Sequence, residues 1–452
     1  MRQKDESTLM RDVAESPAAI AGHSRITAGC DISQSSAGRP AIFDTGGSCR
    51  ICDHPHLIPV LSLGDLPLAN ALARNADPGD GDARYPLNLV FCPHCALLQI
   101  AESVHPIVLF DEYPYFSSFS DTMLRHARDL AEQLVRTRRL SRENRVLEIG
   151  SNDGYLLQYF LEKNIPILGI EPAKNLHQVS VQKNIPTLCS FFNQETFRQL
   201  NRDRQSFDVI LALNVFAHAP DPHEFLEGIR LLLAPDGIAV FEFPYVRELI
   251  EKNEFDTIYH EHISYFSVTT LVNLFEQHRL RIADVERLTI HGGSLRLTVM
   301  HNTGTPVSPV GEAFMEEEKR DGLLSPEYYL NFAGSVEKLK SETVTCLGTL
   351  KREGKKIAGY GAAAKGSTLL NYYGIGRETI DFIADRNPFK QGRYLMGNHI
   401  PIVDPAQIRI SKPDYILVLP WNLKEEIMEQ LSYIRDWGGR FIIPIPRVEM
   451  VD

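Results

Sequence analysis

The sequence has no apolar run that approaches the length needed to span a membrane, and it has no run of lysines or arginines. Its formal net charge is −11, so we expect neither a membrane anchor nor a nucleic-acid-binding surface. Residues 1–45 are rich in serine, alanine, glycine and charge and lack the apolar core of a signal peptide. We therefore expect a disordered tail there and a cytoplasmic protein.

Only seven cysteines occur, and four of them form two pairs, Cys49-x-x-Cys52 and Cys92-x-x-Cys95. Each pair aims two thiolates at one point, which in a reducing compartment is typical of a tetrahedral four-cysteine zinc site. Because four protein ligands leave no open coordination position, we expect a structural zinc ion in a small domain at residues 46–105.

The length of 452 residues predicts about three domains. Strands and helices alternate through residues 106–305 as in a doubly wound parallel sheet, and a hairpin of two final strands follows. That seven-strand order is the methyltransferase plan rather than the dehydrogenase plan. Residues 306–452 predict a second Rossmann-like unit after a segment rich in proline, glycine and glutamate.

The most informative segment is VLEIGSNDGYLL, residues 146–157, where an apolar strand runs into a glycine-rich turn and a helix. Small residues let the backbone approach a ligand, and the N–H groups of the helix remain free for its polar end. The carboxylate of Glu171, which ends the next apolar run, can bind both ribose hydroxyls. A carboxylate inside the turn suits the cationic sulfonium of S-adenosylmethionine better than a pyrophosphate, although another nucleotide fold remains the alternative. The predicted cofactor-binding residues are Gly150, Asn152, Asp153, Gly154 and Glu171.

A second glycine-rich turn, Gly359 to Ser367, follows a strand in the C-terminal unit, and Asp385 follows the next strand. This pattern passes the dinucleotide fingerprint and is compatible with NAD. Lys365 and Ser367 at the start of the helix equally suit the pyrophosphate of a nucleotide sugar.

Histidines are concentrated where predicted strands end. His218 follows the fourth strand of the central unit, and His262 lies in the insertion after the fifth. Doubly wound proteins bind ligands at the carboxyl ends of their strands, so we interpret both as functional rather than as exposed loop residues.

Taken in order, the motifs resemble those of the nucleotide-sugar C-methyltransferases, which methylate a ketosugar, mainly C-3 of TDP-4-keto-deoxysugars. The resemblance covers residues 46–452. It rests on CRIC…CPHC, Y-x-Y-x-S-S, EIGSNDGYLL, NVFAH, YHEHISYFS, HGGSLR and GYGAAAKGSTLLNYYGI. One departure is Met396-Gly397-Asn398, where the family often has Pro-Gly-Thr.

The resemblance implies a zinc domain, a central class I S-adenosylmethionine-dependent methyltransferase domain of the Rossmann-like α/β class, and a C-terminal Rossmann-like domain that helps to hold the nucleotide sugar. It implies that His262 is the catalytic base, with His260 as the rival two residues away. The other implied site residues are Tyr259, Glu261, His218, Tyr115 and Asn214 at the active centre and Ser294, Lys365, Ser367 and Asp385 toward the substrate.

The expected activity is therefore S-adenosylmethionine-dependent C-methylation of an NDP-4-ketosugar at C-3. A carbon atom cannot attack the methyl group until the proton beside the keto group is removed, and an imidazole suits that transfer. The enolate oxygen would need hydrogen-bond donors. The alternatives are methylation of oxygen or nitrogen on another small metabolite, and a non-catalytic protein whose zinc module serves as an interaction platform.

Overall fold

A computed structural model describes residues 42–44, 47–76 and 82–452 of the chain. The predicted tail at 1–45 lies outside these residues except for Ile42–Asp44, which forms strand β1. Within the described ranges, no helix is both long enough and apolar enough to cross a membrane.

The N-terminal domain is a small antiparallel β structure around the four cysteines. Its strands are β1, β2 (Ile58–Leu66), β3 (Leu72–Ala73), β4 (Tyr85–Phe91), β5 (Leu98–Ile100) and β6 (Ser103–Val104). Strands β2, β4 and β5 form one sheet, while β1 pairs with β6. The inward faces of β4 and β5 are buried, so this domain has an apolar core next to the cysteines.

The central domain contains a seven-stranded sheet with helices on both faces. Its helices are α1 (Pro106–Phe110), α2 (Asp121–Arg138), α3 (Leu157–Leu161), α4 (Lys174–Gln182), α5 (Gln194–Arg202), α6 (Pro222–Leu232), α7 (Val246–Glu251) and α8 (Val268–Gln277). Its strands are β7 (Val146–Ile149), β8 (Ile167–Ile170), β9 (Thr187–Leu188), β10 (Phe207–Leu213), β11 (Leu233–Pro244), β13 (Leu280–Leu288) and β14 (Ser294–His301), with β12 (Ser264–Tyr265) in the insertion.

The strand order is β9-β8-β7-β10-β11-β14-β13, and β14 runs antiparallel to both of its neighbours. This order confirms the predicted class I methyltransferase plan. Strand β7 is buried along its whole length and β10 almost so, because helices cover both faces of a parallel sheet. Helix α6 begins where the Asp221 side chain accepts the N–H groups of His223 and Glu224, with Pro222 at its first position.

The C-terminal region adds a six-stranded sheet in the order β18-β16-β15-β19-β20-β21, parallel except for β21. Its helices are α9 (Pro309–Arg320), α10 (Pro326–Arg352), α11 (Ala364–Tyr373), α12 (Ala406–Ser411) and α13 (Lys424–Gln430). Its strands are β15 (Ile357–Tyr360), β16 (Ile383–Ala384), β17 (Tyr394–Leu395), β18 (Ile402–Val403), β19 (Tyr415–Val418), β20 (Arg440–Ile443) and β21 (Glu449–Val451). The second Rossmann-like unit is therefore present, with edge strands that the sequence did not predict.

Backbone pairing joins the three domains. Strand β12 of the central insertion pairs with β5 of the N-terminal sheet, and β17 of the C-terminal region pairs with β3. The short 3-10 helix Phe255–Thr257 packs against α11 through Phe255 and Tyr373, whose ring centroids are 5.2 Å apart. Domain boundaries near residues 105 and 305 remain a proposal, since strand pairing links the domains across them.

Glu318 on α9 anchors the start of α8. It is fully buried, and its carboxylate accepts hydrogen bonds from the N–H groups of Val268 (2.7 Å) and Thr269 (2.9 Å) and from the Tyr245 hydroxyl (2.8 Å). A carboxylate at a helix N-terminus satisfies N–H groups that have no partner inside the helix. Glu318 therefore stabilises the contact between α8, α9 and the end of β11.

We expect Glu318→Ala to lower the free energy of unfolding by about 3 kcal/mol or more, because the buried Val268 N–H and Tyr245 hydroxyl and both donors of the half-buried Thr269 lose their acceptor at once. Urea unfolding followed by circular dichroism measures the change. The matched control is Glu316→Ala, an exposed glutamate on the same helix, which should stay within about 0.5 kcal/mol of the unaltered chain. Equal unfolding midpoints for the two variants would contradict this role of Glu318.

Candidate active site

A cavity of about 950 Å³ lies where the three domains meet. Its walls include the carboxyl ends of β7, β8 and β10 of the central sheet and the turn after β15 of the C-terminal sheet. The carboxyl ends of parallel strands are where open α/β sheets bind ligands. Both predicted ligand-binding turns therefore open into one shared space.

Two glycines allow the turn after β7 to come close to its neighbours. Gly150 has φ +67°, and a Cβ added there would lie 3.1 Å from Cγ2 of Val215. Gly154 has φ +77°, and a Cβ there would lie 2.3 Å from Cδ1 of Ile185. Other residues would be strained at both positions, which explains the glycines of the predicted cofactor turn.

Glu171 lies beside this turn in the cavity wall. Its carboxylate accepts the N–H groups of Asn152 and Ala173, each at 2.8 Å. Burial raises the pKa of Glu171 to about 7, and the two N–H donors oppose that rise. Asn152 also lines the cavity, donates to the carbonyl of Tyr115 (3.0 Å) and accepts from the N–H of Ser117 (3.0 Å).

Asp153 faces away from the cavity. Its buried carboxylate pairs with the Lys183 ammonium at 3.2 Å and accepts a hydrogen bond from the Ser118 hydroxyl. Neither Asp153 nor Gly154 belongs to the set of described residues that line the cavity. The geometry therefore favours a positioning role for Asp153, which holds Ser118 beside the turn, over the direct cofactor contact predicted from the sequence.

Asn214 and His218 follow β10 and line the cavity. Asn214 has φ +54°, and its N–H donates to the carbonyl of Glu242 at 2.7 Å. The His218 ring stacks on Phe110 with centroids 5.7 Å apart, and its buried Nε2 has no hydrogen-bond partner within the described part of the chain. Burial lowers the pKa of His218 to about 4, so the ring is neutral near pH 7.

His262 has one fixed tautomer. Its Nδ1 lies 2.9 Å from the carbonyl oxygen of Thr257, and a carbonyl can only accept, so Nδ1 carries the proton. Its Nε2 accepts a hydrogen bond from the Tyr259 hydroxyl at 2.8 Å. Burial, with a smaller effect from His218, holds the pKa of His262 well below its usual range. The ring is therefore neutral, with its lone pair on Nε2 in the cavity wall.

His260 points elsewhere. Its Nε2 lies 3.2 Å from the carbonyl of Tyr85 in the N-terminal domain, and it is not among the described cavity residues. Tyr259 and Tyr115 do line the cavity. Burial raises the pKa of Tyr115 to about 12 and that of Tyr259 well above its usual value, so both hydroxyls remain donors.

Glu261 is buried behind the wall rather than in it. Its carboxylate accepts hydrogen bonds from the Tyr113 hydroxyl (2.7 Å) and from Nδ2 of Asn70 (2.9 Å to each oxygen). Burial raises the pKa of Glu261 to about 7. Asn70 and Tyr113 themselves line the cavity.

The lysine and arginine side chains of the cavity wall come from the C-terminal domain. Lys365 is half-buried, and its ammonium donates to the carbonyl of His291 at 3.0 Å and lies 4.5 Å from the Trp421 ring centroid. Burial lowers the pKa of Lys365. Asp385 accepts the N–H groups of Ala362 (2.7 Å) and Asn387 (2.8 Å), so it closes the turn before α11 while lining the cavity.

Two predicted substrate residues lie outside this wall. Ser367 is 1% exposed and Ser294 is 2% exposed, with the Ser294 hydroxyl donating to the carbonyl of Ile290 at 3.1 Å. Neither is one of the described residues at the cavity surface, so direct substrate contact through them is not supported. The polar residues that do line it include several that the sequence analysis did not select, among them Asn70, Tyr113, His291, Arg386 and Lys390. Of these, only Tyr113 and His291 lie in a recognised motif.

The four cysteines form a separate cluster. Their Sγ atoms lie within 4.8 Å of one another, with 3.4 Å between Cys49 and Cys95 and 3.5 Å between Cys52 and Cys92. A tetrahedral zinc ion with Zn–S bonds of about 2.3 Å needs sulfur atoms about 3.8 Å apart, so the cluster fits zinc. The described cavity wall contains none of the four, which agrees with a structural ion.

Three protein family profiles match consecutive parts of the chain. They are described as "Putative zinc binding domain" (residues 49–110), "Methyltransferase domain" (residues 123–285) and "C-methyltransferase C-terminal domain" (residues 289–446). The chain is 36% identical over 404 residues to the C-methyltransferase NovU of Streptomyces niveus, across 89% of this chain and 96% of NovU.

Other similarities cover less of the chain. A ubiquinone biosynthesis O-methyltransferase of Rhodopseudomonas palustris is 30% identical over 97 residues, or 21% of this chain and 38% of that protein. The solved structure of the CcbJ methyltransferase from Streptomyces caelestis is 12% identical with a TM-score of 0.31, across 39% of this chain and 89% of that one.

We expect the purified protein to contain about one zinc ion per chain and Cys92→Ser to lose it together with much of its solubility, because zinc binding contributes folding free energy. Metal analysis measures the stoichiometry. Cys346→Ser is the control, since Cys346 lies on α10 and is not part of the cluster. Full zinc content in Cys92→Ser would show that the ligand set is wrong.

Glu171→Gln should weaken S-adenosylmethionine binding by about 1–3 kcal/mol, because the ribose hydroxyls would lose a charged acceptor. In the unaltered chain the affinity should rise about 10-fold from pH 6 to pH 8, because a carboxyl with a pKa of about 7 ionises over that range.

Calorimetry with the cofactor alone tests both statements. Glu171→Gln should flatten the pH dependence, and Glu162→Gln, at an exposed position after α3, should leave both affinity and pH dependence unaltered. Unaltered affinity in Glu171→Gln would remove the carboxylate from the cofactor site.

Proposed function

The chain belongs to the C-methyltransferase family of NovU and is an S-adenosylmethionine-dependent methyltransferase with a zinc-binding domain, and we propose that it methylates C-3 of a nucleotide-linked 4-ketosugar. The observation that carries the proposal is the neutral His262 ring, whose unprotonated Nε2 lies in the wall of a cavity between two Rossmann-like domains.

The lining of the cavity supports two ligands. Its volume, about 950 Å³, is within the usual range of ligand pockets, about 300–1,000 Å³. The turn after β7 supports the cofactor at one end, and the turn after β15 supports a second nucleotide at the other. The reacting groups would then meet near His218 and His262, between the two turns.

Removal of the C-3 proton is the step that needs a base. The proton would move to Nε2 of His262, and its electron pair would pass toward the carbonyl oxygen of the sugar to give an enolate. The Nδ1–H group donates to Thr257 and stabilises the positive charge that the ring acquires. When bound, S-adenosylmethionine supplies the electrophilic methyl group that the enolate carbon takes.

In this proposal the Tyr259 hydroxyl changes its hydrogen-bond acceptor when the substrate binds. Its hydroxyl donates to Nε2 of His262 in the structure, which occupies the lone pair that must take the proton. A substrate carbonyl oxygen in the cavity would compete for that hydroxyl and release Nε2. Tyr259, together with Tyr115 or His218, would then stabilise the enolate oxygen by hydrogen bonding.

The C-terminal wall supports recognition of the pyrophosphate. Helix α11 begins at Ala364 beside the cavity, and no described side chain caps it. Its first N–H groups therefore remain available to an anion. Lys365, Lys390 and Arg386 add positive charge around this point. A thymidine diphosphate sugar and a cytoplasmic location both remain predictions.

The rival activity, methylation of an oxygen or nitrogen atom, would not require a base that removes a proton from carbon. Exchange of the C-3 proton with deuterated water separates the two reactions, since it reports deprotonation without methyl transfer. A panel of NDP-4-ketosugars with methyl-labelled S-adenosylmethionine then reports the whole reaction. We expect both exchange and label transfer with at least one TDP-linked member.

His262→Asn should keep the binding of both ligands while turnover falls by about 100-fold or more, the usual scale for a lost general base. Exchange of the C-3 proton should fall in parallel. Calorimetry for the two ligands and mass spectrometry for the exchange provide the measurements.

His260→Asn is the matched control, because His260 belongs to the same segment but contacts the N-terminal domain. It should retain most of the exchange and turnover. Near-normal activity in His262→Asn, with activity lost in His260→Asn, would assign the base to His260 instead.

A further inference from the structure

We propose that Asn70, a residue of the zinc-binding domain, binds the substrate by accepting a hydrogen bond from a ring hydroxyl of the sugar. The inference rests on the proposed function and extends it to a residue of the domain whose zinc ion is expected to be structural. Asn70 lies between β2 and β3 and is half-buried in the cavity wall.

Glu261 fixes which end of the Asn70 amide is available. Both carboxylate oxygens lie 2.9 Å from Nδ2. Because at most one of the two oxygens carries a proton, at least one of them can only accept a hydrogen bond, so the NH₂ end of the amide must face Glu261. The assignment of nitrogen and oxygen follows from that chemistry, and Oδ1 is left as the end available to a ligand.

Tyr113 shows that the hydrogen-bond donors beside Asn70 already have acceptors. Its hydroxyl donates to Glu261 at 2.7 Å, and Nδ2 of Asn70 lies 3.2 Å from the same hydroxyl. The donors of this group are thus directed at Glu261 and at one another. Within the part of the chain that the structure describes, Oδ1 of Asn70 accepts no hydrogen bond. A ligand group that pairs with it must be a donor, and a sugar hydroxyl is one.

Ring contacts link this position to the proton-transfer centre rather than to the nucleotide end. Tyr113 contacts Phe110 with ring centroids 5.5 Å apart, and Phe110 stacks on His218 at 5.7 Å. His218 in turn lies 5.0 Å from His262. Through Tyr113 and these contacts, Asn70 is connected to the side of the cavity that carries His218 and His262.

The zinc site supports Asn70 through the backbone. Strand β2, which leads to Asn70, pairs with β4, and β4 ends at the residue before Cys92. A bound zinc ion therefore restrains the sheet from which Asn70 reaches the cavity. The metal would act on the reaction only through this positioning.

The test is Asn70→Ala, assayed on pairs of TDP-4-keto-6-deoxyhexoses that differ in a single ring hydroxyl. In the unaltered chain, kcat/KM should favour the hydroxylated member of one pair by about 10-fold or more. Asn70→Ala should lower kcat/KM for that member by about 10-fold and abolish the preference. Affinity for TDP alone and for S-adenosylmethionine, measured by calorimetry, should not change.

Asn88→Ala is the matched control. Asn88 is an asparagine of the same domain whose side chain bonds to Ser62 (2.7 Å) and Glu102 (3.0 Å) instead of lining the cavity. It should retain the hydroxyl preference. Should Asn70→Ala lose zinc, Asn70→Ser replaces it, because a serine hydroxyl can still accept and should give an intermediate preference with full zinc content.

The outcomes separate this inference from the proposed function. An unaltered hydroxyl preference in Asn70→Ala would show that Asn70 has only a structural role. A loss of affinity for TDP alone as large as the loss in kcat/KM would show the same. Either result would leave the proposed function intact. An unaltered chain that turns over every pair without preference would also overturn the role of Asn70. No turnover of any ketosugar by the unaltered chain would overturn both.

Discussion

The hydrogen bond from Nδ1 of His262 to the Thr257 carbonyl is the constraint on which the candidate site depends. It fixes the tautomer, and with it the position of the basic lone pair. Thr257 lies in a 3-10 helix whose Asp256 accepts from the indole of Trp421 at 2.7 Å and whose Phe255 packs on α11. Docking of the C-terminal domain thereby orients a histidine of the central domain.

Burial of carboxyl groups at the domain junction has an energetic cost that ligands can offset. Desolvation raises the pKa of Glu171, Glu254 and Glu261 to about 7 and that of Asp256 to about 6. The folded chain thus holds these protons more tightly than the unfolded chain does. The stability that this contributes is present below about pH 4 and is lost as the pH rises through 7. Of these four groups, Glu171 is the one among the described residues that line the cavity, so a bound cationic sulfonium would favour its ionised form.

Local patterns in the sequence predicted the central sheet because its parallel strands are buried on both faces and appear as continuous apolar runs. Helical geometry explains one failure. Lys365 and Ser367 are two positions apart on α11, which rotates their side chains by about 200°. The ammonium reaches the cavity while the hydroxyl turns into the core. Direct cofactor contact by Asp153 stays a prediction, since Asn152 lines the cavity while the Asp153 carboxylate pairs with Lys183.

What the sequence could not predict lies between domains. Strand β12 completes the N-terminal sheet, and β3 pairs with β17, although about 160 residues or more separate the paired segments in each case. Strands β12 and β3 are each only two residues long, which is too short for a sequence pattern that would identify the strand they pair with. Asn70 reaches the cavity as a consequence of these pairings. The zinc-binding domain is therefore part of the cavity wall, and its metal matters to the site through the geometry of the sheet that it holds.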